Sequence, residues 1–560
     1  MSSTSAALLS SLRPRLSARI WSGARKHPAL VIAAAAFALA WASLLVTYQQ
    51  PHIAVPKAIA LRHALADPGA RSMLARVHWS RLDVTAVDSH YEMLGFYRGP
   101  RLVATVDERF DGRVIVLDHT NLTHTRYVYG SDIANEVRVL LGLCVVFVLM
   151  SAVWPLRRIR NLDVAVAASF AVSIALFNHW MLDRMVYLSY AAMAYLAIRC
   201  AWRALGPQRR QRAATPIYEH LTRGWSATQQ VRLLRLLAVS CALIVAMVGL
   251  SSLSVIDVGY AVMEGATAIV HGLLPYGHVG DILHGDTYPI ASYLLYTPFA
   301  WLSPVHTVFD DADPALWVAV CAALLAAWGI ARLGANRPRR PVAGEKRAAE
   351  LVGLRTAIAW LTFPPLLVTV STGTTDIVLA ALLVGALLLW RKPAAGTAVL
   401  SFAAWFKLVP AALFPLWIAS LRRLGIGRAL LSAIAVSAAM LAALAALGGA
   451  DALVRMVTAM SFQLTRTAPN TLWTFAGSVP LQQLTEALTL SLIAGATVRI
   501  WRDRSLADDR VRFAALCAAV LLGVQLGGNY WTFMYLTWVF PFIALSLLAG
   551  PPTTDASSST

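Results

Sequence analysis

Charged side chains are scarce in this chain. Of its 560 residues only 14% are Asp, Glu, Lys or Arg, whereas 58% are hydrophobic. A water-soluble domain carries roughly 25% charged residues, so too few charges remain here to cover a solvent-facing surface. Soluble multidomain, disordered and collagen-like chains are thereby excluded, and a polytopic helical membrane protein is the class that fits.

Cysteine is also scarce. The five cysteines are scattered through apolar segments and no CxxC occurs. The sequence therefore indicates neither a disulfide framework nor a zinc site. It also lacks a Walker-type glycine loop, the motif that cradles the phosphates of a bound nucleotide.

The charges that are present are mostly positive, with a formal net charge of +19. They occur in short runs between apolar segments, as cytoplasmic loops do under the positive-inside rule. The basic character thus indicates membrane orientation rather than nucleic-acid binding. We expect a multi-pass protein of the plasma (inner) membrane with both termini in the cytoplasm.

The order of apolar and polar segments predicts an all-α polytopic membrane protein of about 12–14 transmembrane segments, with a small α+β extracytoplasmic domain inserted after the first span. The predicted parts are a cytoplasmic N-terminus (1–27), a first transmembrane helix (28–48), the α+β domain (49–135), three transmembrane helices (136–204), a cytoplasmic linker (205–230), a transmembrane core (231–549) and a disordered cytoplasmic tail (550–560).

Two core segments are too short to cross the bilayer in the usual way. Segment 288–303 has 16 residues, whereas a bilayer core needs about 20, so it is predicted to lie on the outer face. Segment 393–420 starts and ends beside cytoplasmic charges but is too short for two full spans. It is predicted to form a short hairpin or broken helix pair with Lys407 near its outer apex.

Charged and polar side chains at the outer ends of the spans are the candidate site residues, because such groups are costly near a membrane. The first group follows a long apolar span and comprises Asp257, Tyr260, Tyr276, His284, Asp286 and Tyr288. A carboxylate at position 257 can take a proton from an attacking hydroxyl, although a solvated turn aspartate is the simpler interpretation. The histidines in this stretch match no compact metal-ligand spacing, so no cofactor is predicted, and a divalent metal is left open.

The second group comprises Lys407, Arg466, Asn470, Asn529 and Tyr530. A lysine near the membrane surface can bind a lipid phosphate as a point charge. The alternatives are a lysine that only snorkels to the interface, and an ordinary aromatic belt around Tyr530.

The motifs around these residues resemble glycosyltransferase family 87 over about 231–549, and the resemblance does not extend to 1–230. The motifs are Asp257-x-x-Tyr260, Gly272-x-x-Pro275-Tyr276, Tyr288-Pro289, Phe363-Pro364-Pro365, Ala404-Trp-Phe-Lys407-Leu-Val-Pro410 and Asn529-Tyr-Trp531. Two stretches depart from the family pattern, namely Tyr288-Pro289-Ile290 in place of Tyr-Pro-Pro and Gly373-Thr-Thr-Asp376 in place of Gly-Gln-x-Asn. These departures leave the identities of donor and acceptor open.

The resemblance implies a C-type membrane glycosyltransferase, of the kind that uses polyprenyl-phosphate mannose or transfers arabinofuranose. It implies that Asp257 is the general base, and that a hexose or pentose passes from a polyprenyl-phosphate donor to a glycan or glycolipid acceptor of the cell envelope. Lys407 and Arg466 are then the candidates for binding the donor phosphate, and the tyrosines, His284, Asp286 and the asparagines are candidates for binding substrate. The alternative is a transporter or flippase for a polyprenyl-linked substrate, which inverted repeats with paired broken helices would favour.

Overall fold

The computed structural model describes residues 55–86, 91–99, 101–109, 112, 114–122, 137–178, 181–207, 214–250, 255–280, 282, 284–306, 310, 312–335, 343–466 and 471–549. The predicted first span 28–48, the segment 1–27 before it and the tail 550–560 lie outside these residues.

The N-terminal α+β domain consists of two helices packed against a four-stranded sheet. Its elements are α1 (Lys57–Ala66), α2 (Pro68–Arg76), β1 (Arg81–Ala86), β2 (Tyr91–Arg98), β3 (Arg101–Arg109) and β4 (Val114–Leu122). The sheet is an antiparallel meander in the order β1-β2-β3-β4. Asp67 caps α2 by accepting a hydrogen bond from the Ala70 N–H at 2.8 Å, as an N-cap aspartate does. The domain has its own apolar core, to which Leu94, Phe96 and Val106 contribute.

The rest of the described chain is helical except for one pair of two-residue strands. The elements up to the start of the core are α3 (Val137–Ser151), β5 (Val153–Trp154), α4 (Ile159–Ala168), α5 (Phe170–Asn178), α6 (Leu182–Leu205), β6 (Thr215–Pro216), α7 (Ile217–Leu221) and α8 (Ala227–Leu250). The short strands β5 and β6 pair with each other. They hold the chain between α3 and α4 against the chain that precedes α7.

The core helices follow in the order α9 (Asp257–Val270), α10 (Ile290–Leu302), α11 (Asp313–Gly334), α12 (Ala343–Leu361), α13 (Pro364–Ser371), α14 (Thr375–Leu388), α15 (Pro393–Phe406), α16 (Phe414–Leu421), α17 (Ile426–Gly448), α18 (Ala452–Thr465), α19 (Leu472–Ala476), α20 (Val479–Arg502), α21 (Arg504–Asp508), α22 (Arg510–Gly527) and α23 (Leu536–Ile543). A π-helical turn, Ala544–Leu548, continues α23. Proline is the first residue of α13 and of α15, where its missing N–H removes no helical hydrogen bond.

The all-α polytopic membrane class is confirmed. Within the described residues, six helices are long and apolar enough to cross a membrane: Ile159–Asn178, Ala227–Leu250, Asp313–Gly334, Ile426–Gln463, Val479–Arg502 and Arg510–Gly527. A seventh is added if the pair Lys346–Leu361 and Pro364–Ser371, bent by 58°, is one span. Several of the 12–14 predicted segments are instead apolar helices of 10–17 residues. A 14-residue helix is only about 21 Å long, shorter than the ~30 Å hydrocarbon core.

The two short core segments have the lengths that the sequence predicts. Segment 288–303 contains α10, which has Pro298 inside it and packs against α9 and α15. Segment 393–420 is a broken pair in which α15 ends at Phe406, a 3₁₀ turn spans Val409–Leu413 and α16 follows. Lys407 lies at this break, at the C-terminal end of α15.

Candidate functional site

Asp257 is the first residue of α9, just after the α8 span. The preceding Ile256 donates its backbone N–H to the carbonyl of Thr372 at 3.1 Å, which ties this helix start to the turn between α13 and α14. Asp257 Oδ1 accepts a hydrogen bond from the Val258 N–H at 2.8 Å. Its other carboxylate oxygen makes no hydrogen bond to the described residues, and so it is available to a substrate.

Two glycines allow α9 to approach this turn closely. A Cβ on Gly259 would lie 2.4 Å from Val255 Cγ1 and 3.1 Å from the Gly373 carbonyl oxygen. Gly373 itself has a φ of +67°, a left-handed conformation that favours glycine. The position of the Asp257 carboxylate therefore depends on the absence of side chains at both residues.

Arg466, at the C-terminal end of α18, faces Asp257. Its guanidinium lies 3.5 Å from the centroid of the Tyr530 ring, a distance typical of a cation–π contact. Arg466 also interacts electrostatically with Asp257, Tyr288 and Tyr535. Within the described residues it forms no ion pair, so its charge is available to an anionic ligand.

Lys407 is held in a buried ion pair. Its Nζ donates to Asp376 Oδ1 at 2.6 Å, and the two side chains are 14% and 3% exposed. The same oxygen accepts a hydrogen bond from Trp538 Nε1 at 3.0 Å. Lys407 also lies 4.6 Å from the centroid of the Tyr535 ring. Since Asp376 already neutralises this lysine locally, Arg466 is the stronger candidate for binding a phosphate.

These side chains form one group, here called the Asp257 cluster. Electrostatic interactions link Tyr288 and Tyr530 to Asp257, Arg466 and Asp376. The members of the cluster are Asp257, Tyr288, Asp376, Lys407, Arg466 and Tyr530. Five of the six are predicted site residues that the chain separates by up to 273 positions.

The loop between α9 and α10 brings His284 to the edge of the cluster. The His284 ring stacks on Phe462 with the ring centroids 3.6 Å apart, and it interacts electrostatically with Arg466 and Asp286. Asp286 accepts a hydrogen bond from the Gly277 N–H at 3.0 Å. Asp286 thus orders the loop.

The remaining predicted residues support the cluster or lie away from it. The Tyr276 hydroxyl donates to the Tyr288 carbonyl at 2.9 Å, so it positions Tyr288. Tyr260 is buried one turn after Asp257. Asn529 Oδ1 accepts a hydrogen bond from Gln482 Nε2, which fixes the chain before Tyr530. Asn470 lies outside the described residues.

An apolar groove of about 460 Å³ lies beside the cluster. Its walls come from α15, the following 3₁₀ turn and α18, and its lining includes Trp405, Leu408, Met456 and Met460. Gln463, three residues before Arg466, also lines it. The groove can therefore hold a hydrocarbon chain whose polar end reaches Arg466.

Asp257 lies outside the spanning helices, and burial raises the pKa of its carboxyl above the usual aspartate value, while the nearby Arg466 charge opposes this rise. A base with a raised pKa accepts a proton more readily. In chemical terms, the cluster joins a half-buried carboxylate to a cation that can bind an anionic group. No group of three or more His, Cys, Asp or Glu side chains among the described residues is placed to hold a metal ion.

Residues 287–526 match the model of Glycosyltransferase family 87. This match supports membership of glycosyltransferase family 87. Membership of this family implies a membrane glycosyltransferase. A search of curated proteins gave no match. The matched region contains Lys407 and Arg466, and the fold brings Asp257 and Tyr530 to them from outside it.

Sequence reasoning did not identify Asp376, a member of the cluster, or Trp538, which donates a hydrogen bond to it, as site residues. In the sequence, Asp376 stands out only as a departure from the family pattern. An aspartate between two apolar segments is itself a signal that a cationic partner is near. Trp538 had no such signal, because tryptophan is common in membrane helices.

Proposed function

We propose that this protein transfers a sugar from a polyprenyl-phosphate donor to a hydroxyl of a glycan or glycolipid acceptor. The transfer takes place on the extracytoplasmic face, with Asp257 as the general base. A mannose-like hexose or a pentose is the proposed sugar. The proximity of Asp257 to Arg466 beside an apolar groove carries this proposal.

The groove and Arg466 together suit a lipid phosphate. The apolar lining of the groove accommodates the prenyl chain, while Arg466 meets the phosphate at its end. Tyr530 beneath the guanidinium keeps Arg466 in place. Lys407, whose charge Asp376 offsets, is the second candidate for binding this phosphate.

The reaction is a single displacement at the anomeric carbon. The acceptor hydroxyl oxygen bonds to this carbon, and its proton passes to Asp257. The bond between the anomeric carbon and the phosphate oxygen breaks, and its electron pair stays on the phosphate, where Arg466 stabilises the charge. One displacement inverts the anomeric configuration, and phosphate needs no acid to leave.

The test is Asp257→Asn in the full-length protein, with Asp451→Asn as the matched control. Asp451 is exposed and lies in the short turn between α17 and α18. Transfer from radiolabelled polyprenyl-phosphate mannose and polyprenyl-phosphate arabinofuranose to membrane glycan acceptors is measured. We expect turnover to fall at least about a hundredfold in Asp257→Asn, the usual contribution of a general base, and to be unchanged in the control. Full turnover in Asp257→Asn would refute the assignment.

A further inference from the structure

A second cavity lies far from the Asp257 cluster and is lined by arginines. Its volume is about 410 Å³, within the roughly 300–1,000 Å³ of small-molecule sites. The arginines that line it are Arg158, Arg160, Arg199, Arg203, Arg355 and Arg510. They come from the start of α4, the end of α6, the middle of α12 and the start of α22.

This arginine cavity is at the opposite end of the helix bundle. Ala315, near the start of α11, lies against Gly259 and Gly373 beside the Asp257 cluster. Leu333 and Gly334, at the other end of α11, line the arginine cavity. At 1.5 Å per residue the two sites are about 28 Å apart. The cavity segments are those that the positive-inside rule assigns to the cytoplasmic face.

Positive charge exceeds negative charge in the cavity. Its lining holds six arginines but three carboxylates, namely Asp163, Glu219 and Asp509. Asp163 is committed to Arg199, which donates to both of its oxygens at 2.8 and 2.9 Å. Glu219 is 3.8 Å from Arg355. The cavity therefore keeps an excess of cations that are partly removed from water.

Part of the cluster has a structural role. Arg160, Arg203 and Arg355 donate hydrogen bonds to backbone carbonyls in the last turn of the final described helix, those of Leu548, Ser546 and Ala549 respectively. Cations at a helix C-terminus are favourable. Carbonyls are neutral, however, so these bonds leave the charge of the arginines uncancelled, and Arg160 and Arg355 repel each other.

Arg510 has no such structural role. It is the first residue of α22, where a cation is unfavourable next to the positive end of the helix dipole. Its Nε is buried and makes no hydrogen bond within the described part of the chain. An arginine at this position therefore favours an anion that the described part of the protein does not supply.

We propose that the arginine cavity binds a phosphate-bearing anion, either a soluble phosphate compound or the headgroup of an anionic lipid. Arginine suits this ligand because its planar fork of N–H donors matches phosphate oxygens. The site is separate from the proposed donor site and does not depend on that proposal.

The test uses the full-length protein purified in detergent, with sodium pyrophosphate as the probe and calorimetry as the measurement. The variants are Arg510→Gln and Arg510→Lys. Arg502→Gln is the matched control, since Arg502 is exposed at the same end of the bundle and does not line the cavity. Arg466→Gln shows whether the probe binds at the donor site instead. Circular dichroism and a monodisperse elution profile verify that each variant is folded.

We expect saturable pyrophosphate binding that weakens about tenfold to a hundredfold in Arg510→Gln, the usual range for a hydrogen bond to a charged group. Arg510→Lys should recover part of the affinity, while Arg502→Gln should bind as wild type does. The proposal is overturned if wild type shows no saturable binding, if a folded Arg510→Gln variant binds equally well, or if Arg466→Gln abolishes binding.

A second arm identifies the source of the phosphate. The protein is placed in nanodiscs of phosphatidylcholine alone or with added phosphatidic acid, and pyrophosphate binding is measured again. Weaker pyrophosphate binding in the discs that contain phosphatidic acid supports a lipid headgroup as the natural occupant. Equal binding in both kinds of disc supports a soluble anion.

Discussion

At the scale of single residues, the environment of Asp257, the proposed general base, predicts how the proposed reaction responds to pH. Burial raises the pKa of this carboxyl, and the Arg466 charge works in the opposite direction. A general base acts only when it is deprotonated. The rate should therefore be lost on acidification at a higher pH than an ordinary aspartate would give.

Removal of the Arg466 charge should shift the acid limb of the pH–rate profile, which is the range in which the rate falls as the pH is lowered. Without the cation the pKa of Asp257 rises further, so kcat/KM of Arg466→Gln should begin to fall at a higher pH than that of wild type. Arg466→Lys keeps the charge and should leave the limb close to the wild-type position. The measurement is kcat/KM against pH for the three proteins. An acid limb at the same pH in Arg466→Gln would show that Asp257 is not the titrating base.

Lys407 is a residue whose structural and catalytic roles have to be separated. Truncation of one partner of a buried ion pair leaves an uncompensated charge and costs about 3–5 kcal/mol. Lys407→Met should therefore lower the free energy of unfolding by about 3 kcal/mol, and a second change, Asp376→Asn, should restore most of it. Thermal unfolding in detergent measures this, with Lys392→Met at an exposed lysine as the control.

The same double variant tests the donor role. If Lys407 binds the donor phosphate, the variant that carries both changes should remain slow at low donor concentration although its stability is restored. Wild-type dependence of the initial rate on donor concentration would instead show that Lys407 serves only to neutralise Asp376.

At the scale of single elements, the sheet of the N-terminal domain holds two acidic side chains in its core. Glu92 on β2 is directly opposite Glu108 on β3, and both are fully buried. His63 Nδ1 on α1 is 3.6 Å from Glu108. The pKa of Glu108 is raised from 4.5 to about 8, mainly by burial and to a smaller extent by the neighbouring Glu92.

This raised pKa should make the domain less stable as the pH rises. The folded state holds the Glu108 proton more tightly than the unfolded state, so stability is greatest below about pH 4.5 and falls until about pH 8. The loss is on the order of a few kcal/mol, since one pKa unit corresponds to about 1.4 kcal/mol. Hydrogen exchange of β2 and β3 between pH 5 and 8, corrected for the intrinsic exchange rate, measures it. Glu108→Gln should remove most of the dependence, and an unchanged slope in that variant would contradict the explanation.

At the scale of the whole molecule, the predicted topology places the end of α10 outside and the start of α17 inside. In a background without the five cysteines, Ser303→Cys should react with an impermeant maleimide on intact cells, and Arg428→Cys should react only after permeabilisation. Ser292 is unsuitable for this experiment because it is buried, and its hydroxyl donates to the Phe406 carbonyl. Labelling of Arg428→Cys on intact cells would show that the predicted orientation is wrong.

The helical class and the candidate residues are predictable from composition and from the placement of charges. Lys407 at the break of the 393–420 segment followed from loop charges and helix length alone, because those constraints are local and geometric. The Lys407–Asp376 pair was not predictable in the same way. It depends on how α14 and α15 pack, and no local pattern specifies which carboxylate a buried lysine meets.

The arginine cavity is not predictable from the sequence, for a similar reason. Each arginine lies in or beside a basic run, and such runs already have an explanation in the positive-inside rule. Only the packing of α4, α6, α12 and α22 shows that six of them surround one space.

The final helix has a consequence for communication across the bilayer. Trp538 in α23 donates to Asp376 in the Asp257 cluster, and the carbonyls of Ser546 and Ala549, at the other end of the same helix, accept hydrogen bonds from Arg203 and Arg355. An anion in the cavity that draws Arg203 and Arg355 away from these carbonyls would free one end of α23. The other end of α23 contacts Asp376 in the Asp257 cluster. Under the proposed function and topology, linkage then requires reciprocity: pyrophosphate at the arginine cavity and lipid donor at the Asp257 cluster must change each other's affinity by the same factor. A cell could in this way adjust glycan assembly on one side of its membrane to the phosphate compounds available on the other.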